Sequence, residues 1–160
     1  MVMAVMVLIC LLSHMSVSAQ SSDLYAYYTK VHPGQDSQQY SITGKYADVI
    51  VGFDENRQFV FSRESSYLSY WQTENGKWYV DEIIPRSGDG TKLQPDKYNR
   101  YSYVRIIENT PDKVVIHWRY FPDFMHVEMT NVVHELFTIT PDGQVGRKFK
   151  KGTEKIGDWI

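Results

Sequence analysis

The chain has 160 residues, of which 19 are acidic and 17 are basic, so its formal net charge is −2. This length suits one domain with a single hydrophobic core, and the absence of runs of like charge argues against nucleic acid as a partner. Cys10 is the only cysteine, which excludes disulfides within the chain, so a folded domain must be held together by its core.

Residues 1–19 predict a secretory signal peptide. An apolar run over 2–12 is followed by Val17 and Ala19, which place the expected cleavage before Gln20. The run is too short to span a bilayer comfortably, so we expect no membrane span. A lipoprotein signal at Cys10 is disfavoured because the residues before it lack small side chains. The mature protein is therefore expected to be secreted or periplasmic.

Apolar and polar residues alternate with period two through most of the remaining chain, and no stretch keeps a helical period. Residues 20–44 are interpreted as a polar N-terminal arm. Eight strands are predicted, over residues 46–53, 58–65, 67–74, 77–84, 100–109, 113–121, 132–140 and 144–150. The predicted fold class is all-β, an antiparallel β-sandwich over 45–151. Residues 152–160 are interpreted as a linker into a further C-terminal region.

Three short segments predict tight reversals between these strands. Asn75-Gly76 tolerates positive φ at both positions and is typical of a hairpin turn. Pro141-Asp142-Gly143 combines a fixed φ with a glycine, and Thr110-Pro111-Asp112 is interpreted as a three-residue loop. The connection over 85–99 is rich in Gly, Pro and polar residues and is long for a small sandwich, a feature that often accompanies function.

The loop length at Thr110 fixes the expected pairing of the strands on either side. It sets Asn109 opposite Lys113, Arg105 opposite His117 and Tyr103 opposite Arg119, and every side chain would change face with a slip of one residue. One face of the hairpin is then apolar: Val104, Ile106, Val114, Ile116, Trp118 and Tyr120. The other gathers Tyr101, Tyr103, Arg105, His117, Arg119 and Phe121.

The second face combines residue types that suit an anionic sugar. Arg binds carboxylate or sulfate through paired hydrogen bonds, Tyr stacks and donates, and His moves protons near neutral pH. The alternative is structural, since Arg and Tyr commonly stack across strands to cover a sheet. All 12 Tyr, 4 Trp and 7 Phe follow Ala19, which fits both a β-rich domain and a protein that stacks on sugars.

The sequence gives weaker indications of a metal site, a catalytic nucleophile or a nucleotide-binding site. His126, Glu128, His134 and Glu135 allow a site of imidazole and carboxylate ligands to be imagined, but their spacing matches no strict metal signature. We therefore predict no metal and no cofactor. No serine elbow, mature cysteine or phosphate-binding glycine loop indicates nucleophilic or nucleotide chemistry. Val133, Glu135 and Phe137 share one face of their strand, and Val132, His134 and Leu136 share the other, so at least one polar residue must face inward.

The segments "KYADVIVGFDENRQFVFSRESSYLSYW", "RYSYVRIIENTPDKVVIHWRY" and "ELFTITPDGQVGRKF" resemble the front part of large secreted proteins of polysaccharide-degrading bacteria, among them ulvan-lyase-like polysaccharide lyases. The resemblance covers roughly residues 45–149. It implies a β-sandwich, or part of a supersandwich, that faces an acidic polysaccharide. His134-Glu135-Leu136-Phe137 departs from the acidic residue paired with aromatics expected before the "TPDG" turn.

Such a lyase acts by β-elimination, in which a base removes the proton next to the uronate carboxylate and an acid protonates the leaving oxygen. His117 and Tyr103 are the candidate catalytic residues, and either of them could serve as the base or the acid. Arg105, Arg119 and Tyr101 are candidate substrate-binding residues. The alternative is a non-catalytic sandwich that binds carbohydrate or supports a downstream domain.

Overall fold

The computed structural model describes residues 24–29 and 47–152, and this part of the chain forms two antiparallel sheets. The five-stranded sheet has the order β1 Tyr25–Thr29, β2 Asp48–Gly52, β3 Gln58–Phe61, β4 Ser69–Thr73 and β5 Gly76–Tyr79. The four-stranded sheet has the order β6 Tyr103–Asn109, β7 Val114–Tyr120, β8 Val133–Ile139 and β9 Val145–Lys151. The predicted β-sandwich is confirmed.

Short 3-10 helices follow β3 at Arg63–Ser65 and precede β8 at Met129–Asn131. None of the helices within residues 24–29 and 47–152 is long and apolar enough to cross a membrane. The predicted signal peptide, most of the predicted arm and residues 153–160 lie outside the described residues.

Alternation explains why the sheets pack face to face, because apolar residues at every second position of β2, β3 and β7 point to the same side. Phe59 and Phe61 of β3 meet Phe137 of β8 with ring centroids 6.1 and 4.9 Å apart. Trp118 and Ile116 of β7 are fully buried in the same core.

The first strand lies within the segment interpreted as a polar arm, so that interpretation is wrong for Tyr25–Thr29. These residues pair antiparallel with β2 along their whole length. Asn109 of β6 then occupies the free edge of β1: its side-chain amide accepts from Ala26 N at 2.9 Å and donates to Ala26 O at 2.8 Å. A side-chain amide thus replaces a strand neighbour at the edge of this sheet.

The turn between β6 and β7 differs from the prediction, although the pairing beyond it agrees. Thr110 and Lys113 exchange backbone hydrogen bonds at 3.0 and 3.3 Å, so the loop has two residues and Asn109 lies opposite Val114. A β-bulge at Ile107 inserts one extra residue into β6. The inserted residue restores the predicted register, so the cross-strand partners of residues 103–106 are the predicted ones.

Three predicted strands are also shorter than expected. The second predicted strand ends at Phe61, because the backbone turns into a 3-10 helix in which Ser62 accepts a hydrogen bond from Glu64 N at 3.2 Å. The fourth ends at Tyr79, and the fifth begins at Tyr103.

The long connection after β5 is pinned to the core by a buried arginine. The Arg86 guanidinium donates to Glu82 Oε1 at 2.6 Å and to the Ser66 carbonyl at 2.7 Å, and it lies 4.9 Å from the ring of Trp118. Farther along, the buried Asp96 carboxylate accepts the backbone N–H groups of Arg100 and Tyr101. These buried contacts hold the connection against one end of the sandwich.

Candidate functional site

The outer face of the four-stranded sheet brings four of the five candidate residues together. Tyr103 lies opposite Arg119, and Arg105 lies opposite His117. The same rows continue across β8 and β9, because Arg119 pairs with His134 and His134 with Lys150, while His117 pairs with Leu136 and Leu136 with Lys148. We call these two rows the basic face: Tyr103, Arg119, His134, Lys150, Arg105, His117, Leu136 and Lys148.

Cations dominate the basic face and lie mostly toward its edges. Arg105 on β6 and Lys148 on β9 are exposed, while Arg119 and Lys150 are half-buried. Neither row contains a carboxylate. The lysines extend the site beyond the residues predicted for it. Their signal in the sequence is the alternation of β9, which sends Lys148 and Lys150 to the side opposite Arg147 and Phe149.

The sequence leads one to expect His117 on an open surface, and this expectation is wrong. Its side chain lies on the predicted face, yet His117 is only 2% exposed. Arg105 Nε donates to His117 Nδ1 at 3.1 Å, and His117 Nε2 lies 3.0 Å from His134 Nδ1. The two imidazole rings are nearly parallel, with an interplanar angle of 5° and centroids 5.2 Å apart. Long side chains on the adjacent strands cover the imidazole and exclude it from solvent.

These contacts determine the protonation of His117. Since Nδ1 accepts from Arg105, the ring hydrogen is on Nε2 and is donated to His134. A second proton on Nδ1 would face the N–H of Arg105. Burial, followed by the charges of Arg105, His134 and Arg119, lowers the pKa of His117 to about 3. The imidazole is neutral across the physiological range, and both of its nitrogens are occupied.

The pKa of His134 is also lowered, first by burial and then by the charges of Arg119 and Arg105, while a hydrogen bond to the Gly152 backbone acts in the opposite direction. Two neutral histidines therefore separate the cations of the basic face. They contribute hydrogen bonds but no additional positive charge.

Arg119 and Tyr103 form the second cross-strand pair. Arg119 Nη1 donates to the Tyr103 hydroxyl at 2.9 Å, and the guanidinium lies 5.1 Å from the Tyr103 ring and 5.7 Å from the Phe121 ring. Stacking and the hydrogen bond fix the guanidinium in one orientation. The hydroxyl accepts from Arg119, so its own hydrogen can be donated to an anionic ligand.

Tyr101 does not join the ladder, because β6 begins at Tyr103 and β7 ends at Tyr120. Its ring meets Phe121 edge to face at 6.1 Å and Phe124 at 5.1 Å. Tyr101 instead lines a separate cavity of about 330 Å³ beside Ser87, Arg100 and Phe124. The prediction that Tyr101 pairs within the ladder is wrong, because the strand begins two residues later, whereas its role in binding substrate stays a prediction.

The imagined metal site does not assemble. Glu135 points into the core and His134 points to the basic face, so the two neighbours lie on opposite sides of β8. His126 binds Asp123 instead, with Nδ1 2.6 Å from Oδ2. Within residues 24–29 and 47–152 no group of three or more His, Cys, Asp or Glu side chains could hold a metal ion.

The prediction that a polar residue of β8 must face inward is confirmed by Glu135, which is fully buried. Its Oε1 accepts from the Tyr120 hydroxyl at 2.8 Å, and its Oε2 accepts from Arg147 Nη2 at 2.5 Å and Nε at 3.2 Å. Arg147 also donates to the Asp81 carbonyl at 2.8 Å. This is a structural ion pair, and Arg147 also joins β9 to the segment that follows β5.

The arrangement of the basic face favours binding over proton transfer. Removal of a proton by His117 would require one of its nitrogens to leave an existing partner and reach the surface. Arg105, Arg119 and the two lysines, by contrast, present charge to an anion without rearrangement of the sheet. The candidate catalytic role of His117 has no geometric support, while that of Tyr103 stays a prediction.

Comparison of the chain with protein-family models, curated proteins and solved structures gave no match. The resemblance to polysaccharide lyases therefore stays a prediction. What can be proposed about function depends on the geometry of the molecule itself.

Proposed function

We propose that the protein binds an acidic polysaccharide through the basic face, as a non-catalytic carbohydrate-binding β-sandwich. The observation that carries this proposal is the pair of cross-strand rows with a cation on each of three strands and no carboxylate between them. A polyanion that crosses the strands meets Arg105 and Lys148 at the two edges and Arg119 between them.

The chemistry of each side chain supports this ligand class. Guanidinium groups match the geometry of carboxylate and sulfate, and Arg119 is already oriented by Tyr103. The exposed Lys148 adds positive charge and can contact an anion in more than one orientation. The cations lie on β6, β7 and β9, at multiples of the strand spacing of about 4.8 Å. The face is therefore suited to a polymer that carries several anions rather than to one small anion.

Affinity electrophoresis of the full chain in gels containing polygalacturonate, a sulfated galactan or neutral dextran tests the proposal. We expect retardation by the two anionic polymers that weakens as salt rises, because exposed charges are screened. Arg105→Ala/Lys148→Ala should weaken binding about 10-fold or more, since two charge-assisted contacts are lost.

Lys92→Ala/Lys97→Ala is the matched control. Both lysines are exposed on the long connection, so this variant changes the net charge, and hence the free mobility, by the same amount. The proposal fails if neither anionic polymer retards the protein, or if the control variant loses as much affinity as the variant of the basic face.

The lyase reaction is tested on the same samples. Incubation with polygalacturonate should leave the ultraviolet absorbance of unsaturated uronates unchanged if the protein only binds. If absorbance rises and the rise is lost in Tyr103→Phe, the surface is catalytic and the assignment as a pure binding protein is wrong.

A further inference from the structure

Trp78 is an unusual residue to leave at the surface. It lies on β5, at the edge of the five-stranded sheet, and is 61% exposed. Its cross-strand partner Trp71 is half-buried and packs against Phe53 and Phe59, with ring centroids 5.1 and 5.0 Å away. The two tryptophans lie on the same side of the sheet. The ring of Trp71 packs against the core, and the ring of Trp78 beside it is exposed to solvent.

Two turns rise beside the exposed indole. The β2–β3 and β4–β5 connections lie at the same end of the sheet because these strands are consecutive and antiparallel. Together they border an open cleft of about 550 Å³, within the usual range of about 300–1,000 Å³ for small-molecule sites. We call it the Trp78 cleft; it is lined by Asp54, Asn56, Arg57, Thr73, Glu74, Asn75 and Trp78.

The polar wall of the cleft is held in place before any ligand arrives. Asp54 Oδ1 accepts from the backbone N–H groups of Asn56 and Arg57, both at 2.8 Å, and Asp54 Oδ2 accepts from Arg57 Nε at 2.7 Å. On the opposite turn, Thr73 Oγ1 accepts from Asn75 N at 3.2 Å. Rigid walls reduce the entropy lost on binding.

The charge of the lining differs from that of the basic face. Two carboxylates, on Asp54 and Glu74, outnumber the one guanidinium, on Arg57. The hydrogen bond from Arg57 also lowers the pKa of Asp54, so that carboxylate is ionised. A uronate or sulfate would therefore meet net repulsion, whereas hydroxyl groups can donate to the carboxylates and accept from Arg57 and Asn75.

We propose that the Trp78 cleft is a second carbohydrate site that binds a neutral pyranose ring. The C–H face of the sugar stacks on the indole, which offers a flat apolar surface with few rotamers to lose. Carboxylate and amide oxygens on the two turns accept hydrogen bonds from the sugar hydroxyls. The site is independent of the basic face, which lies on the outer side of the other sheet.

Isothermal titration of the full chain with cellohexaose, laminarihexaose, xylohexaose and mannohexaose tests this site. At least one of these neutral hexaoses should bind, and the affinity should be nearly independent of salt because no charge pair forms. Trp78→Ala should reduce that affinity at least 10-fold, and Trp78→Phe should retain part of it.

Tyr79→Ala is the matched control, because it removes a 40% exposed aromatic side chain from the adjacent position of the same strand, where the ring packs against Tyr70 outside the cleft. Arg105→Ala/Lys148→Ala should bind the hexaose as the parent does, so failure of the basic face is distinguishable from failure of the cleft. The inference is overturned if none of the four hexaoses binds, or if Trp78→Ala and Tyr79→Ala bind the sugar equally well.

Discussion

Arg105 Nε donates a hydrogen bond to His117 Nδ1 at 3.1 Å, and this contact between neighbouring strands fixes the imidazole as neutral. His117, the strongest catalytic candidate in the sequence, is therefore a buried residue that both accepts and donates a hydrogen bond. His134 completes the arrangement on the other side of the ring at 3.0 Å.

The first prediction concerns pH. Burial and three neighbouring cationic or titratable groups lower the pKa of His117 to about 3 in the folded protein, against about 6.5 when unfolded. Between these values the unfolded chain binds the extra proton, so the free energy of unfolding falls as pH falls, by up to about 1.4 kcal/mol per pH unit from this group. This contribution is fully present above about pH 6.5.

Urea melts at pH 7.0 and 5.0 measure that fall, and His117→Asn is the comparison. The variant lacks the titrating group and should lose less stability between the two pH values. Nuclear magnetic resonance should show no titration of the His117 ring between about pH 5 and 8. A ring that titrates near its ordinary pKa contradicts the buried hydrogen-bonded state.

The second prediction ranks two adjacent residues of β7. Trp118→Ala should cost about 3–5 kcal/mol, because the side chain is fully buried between the sheets. His117→Ala should cost about 1–3 kcal/mol, more than a solvent-exposed residue, because His134 loses its hydrogen-bond partner. Denaturant melts rank the two, with Lys148→Ala expected within about 0.5 kcal/mol of the parent. A negligible cost for His117→Ala would show that its face is open.

The third prediction concerns the ion pair between Glu135 and Arg147. Arg147→Met leaves a fully buried carboxylate without its cation and should cost about 3–5 kcal/mol. The double variant Glu135→Leu/Arg147→Met should be more stable than Arg147→Met alone, because the uncompensated charge is gone. A double-mutant cycle from urea melts measures the coupling. Simple additivity of the two single costs would mean that the pair does not interact.

The fourth prediction compares two glycines of the β8–β9 hairpin. Gly143 has a φ of +83°, so Gly143→Ala should cost about 1 kcal/mol through backbone strain. Gly146 lies in β9, where a Cβ would meet only the Thr138 carbonyl oxygen and Cβ, at 3.7 and 4.0 Å. Gly146→Ala should therefore be neutral or slightly stabilising. Thermal melts of both variants measure the two changes in stability. Equal losses of stability would contradict the positive φ assigned to Gly143.

Part of the candidate site could be read from the sequence because it depends on short-range geometry. Alternation along β7 sends Ile116 and Trp118 to one side and His117 and Arg119 to the other, whichever strands lie beside it. The pairing of Tyr103 with Arg119 also followed from segregating apolar and charged residues, although the predicted loop was one residue too long. The bulge at Ile107 compensated for that error.

Other features depend on contacts between residues far apart in the chain. Whether an outward-facing side chain is exposed depends on its neighbours in adjacent strands, and three cationic or imidazole groups surround His117. The strand Tyr25–Thr29 looked like part of a polar segment because its role depends on β2 and on Asn109. The Trp78 cleft exists because two separate turns rise at the same end of one sheet.

The sequence by itself determined the fold class, the two faces of each long strand and the inward position of one polar residue of β8. Those properties follow from a side-chain period of two and from the cost of burying charge. Only the tertiary structure decided that His117 is covered, that Lys148 and Lys150 extend the rows of Arg105 and Arg119, and that Trp78 borders a cleft. The physical reason is that the exposure and the electrostatic environment of a side chain depend on residues that are distant in sequence. A pattern within one strand contains no information about those residues.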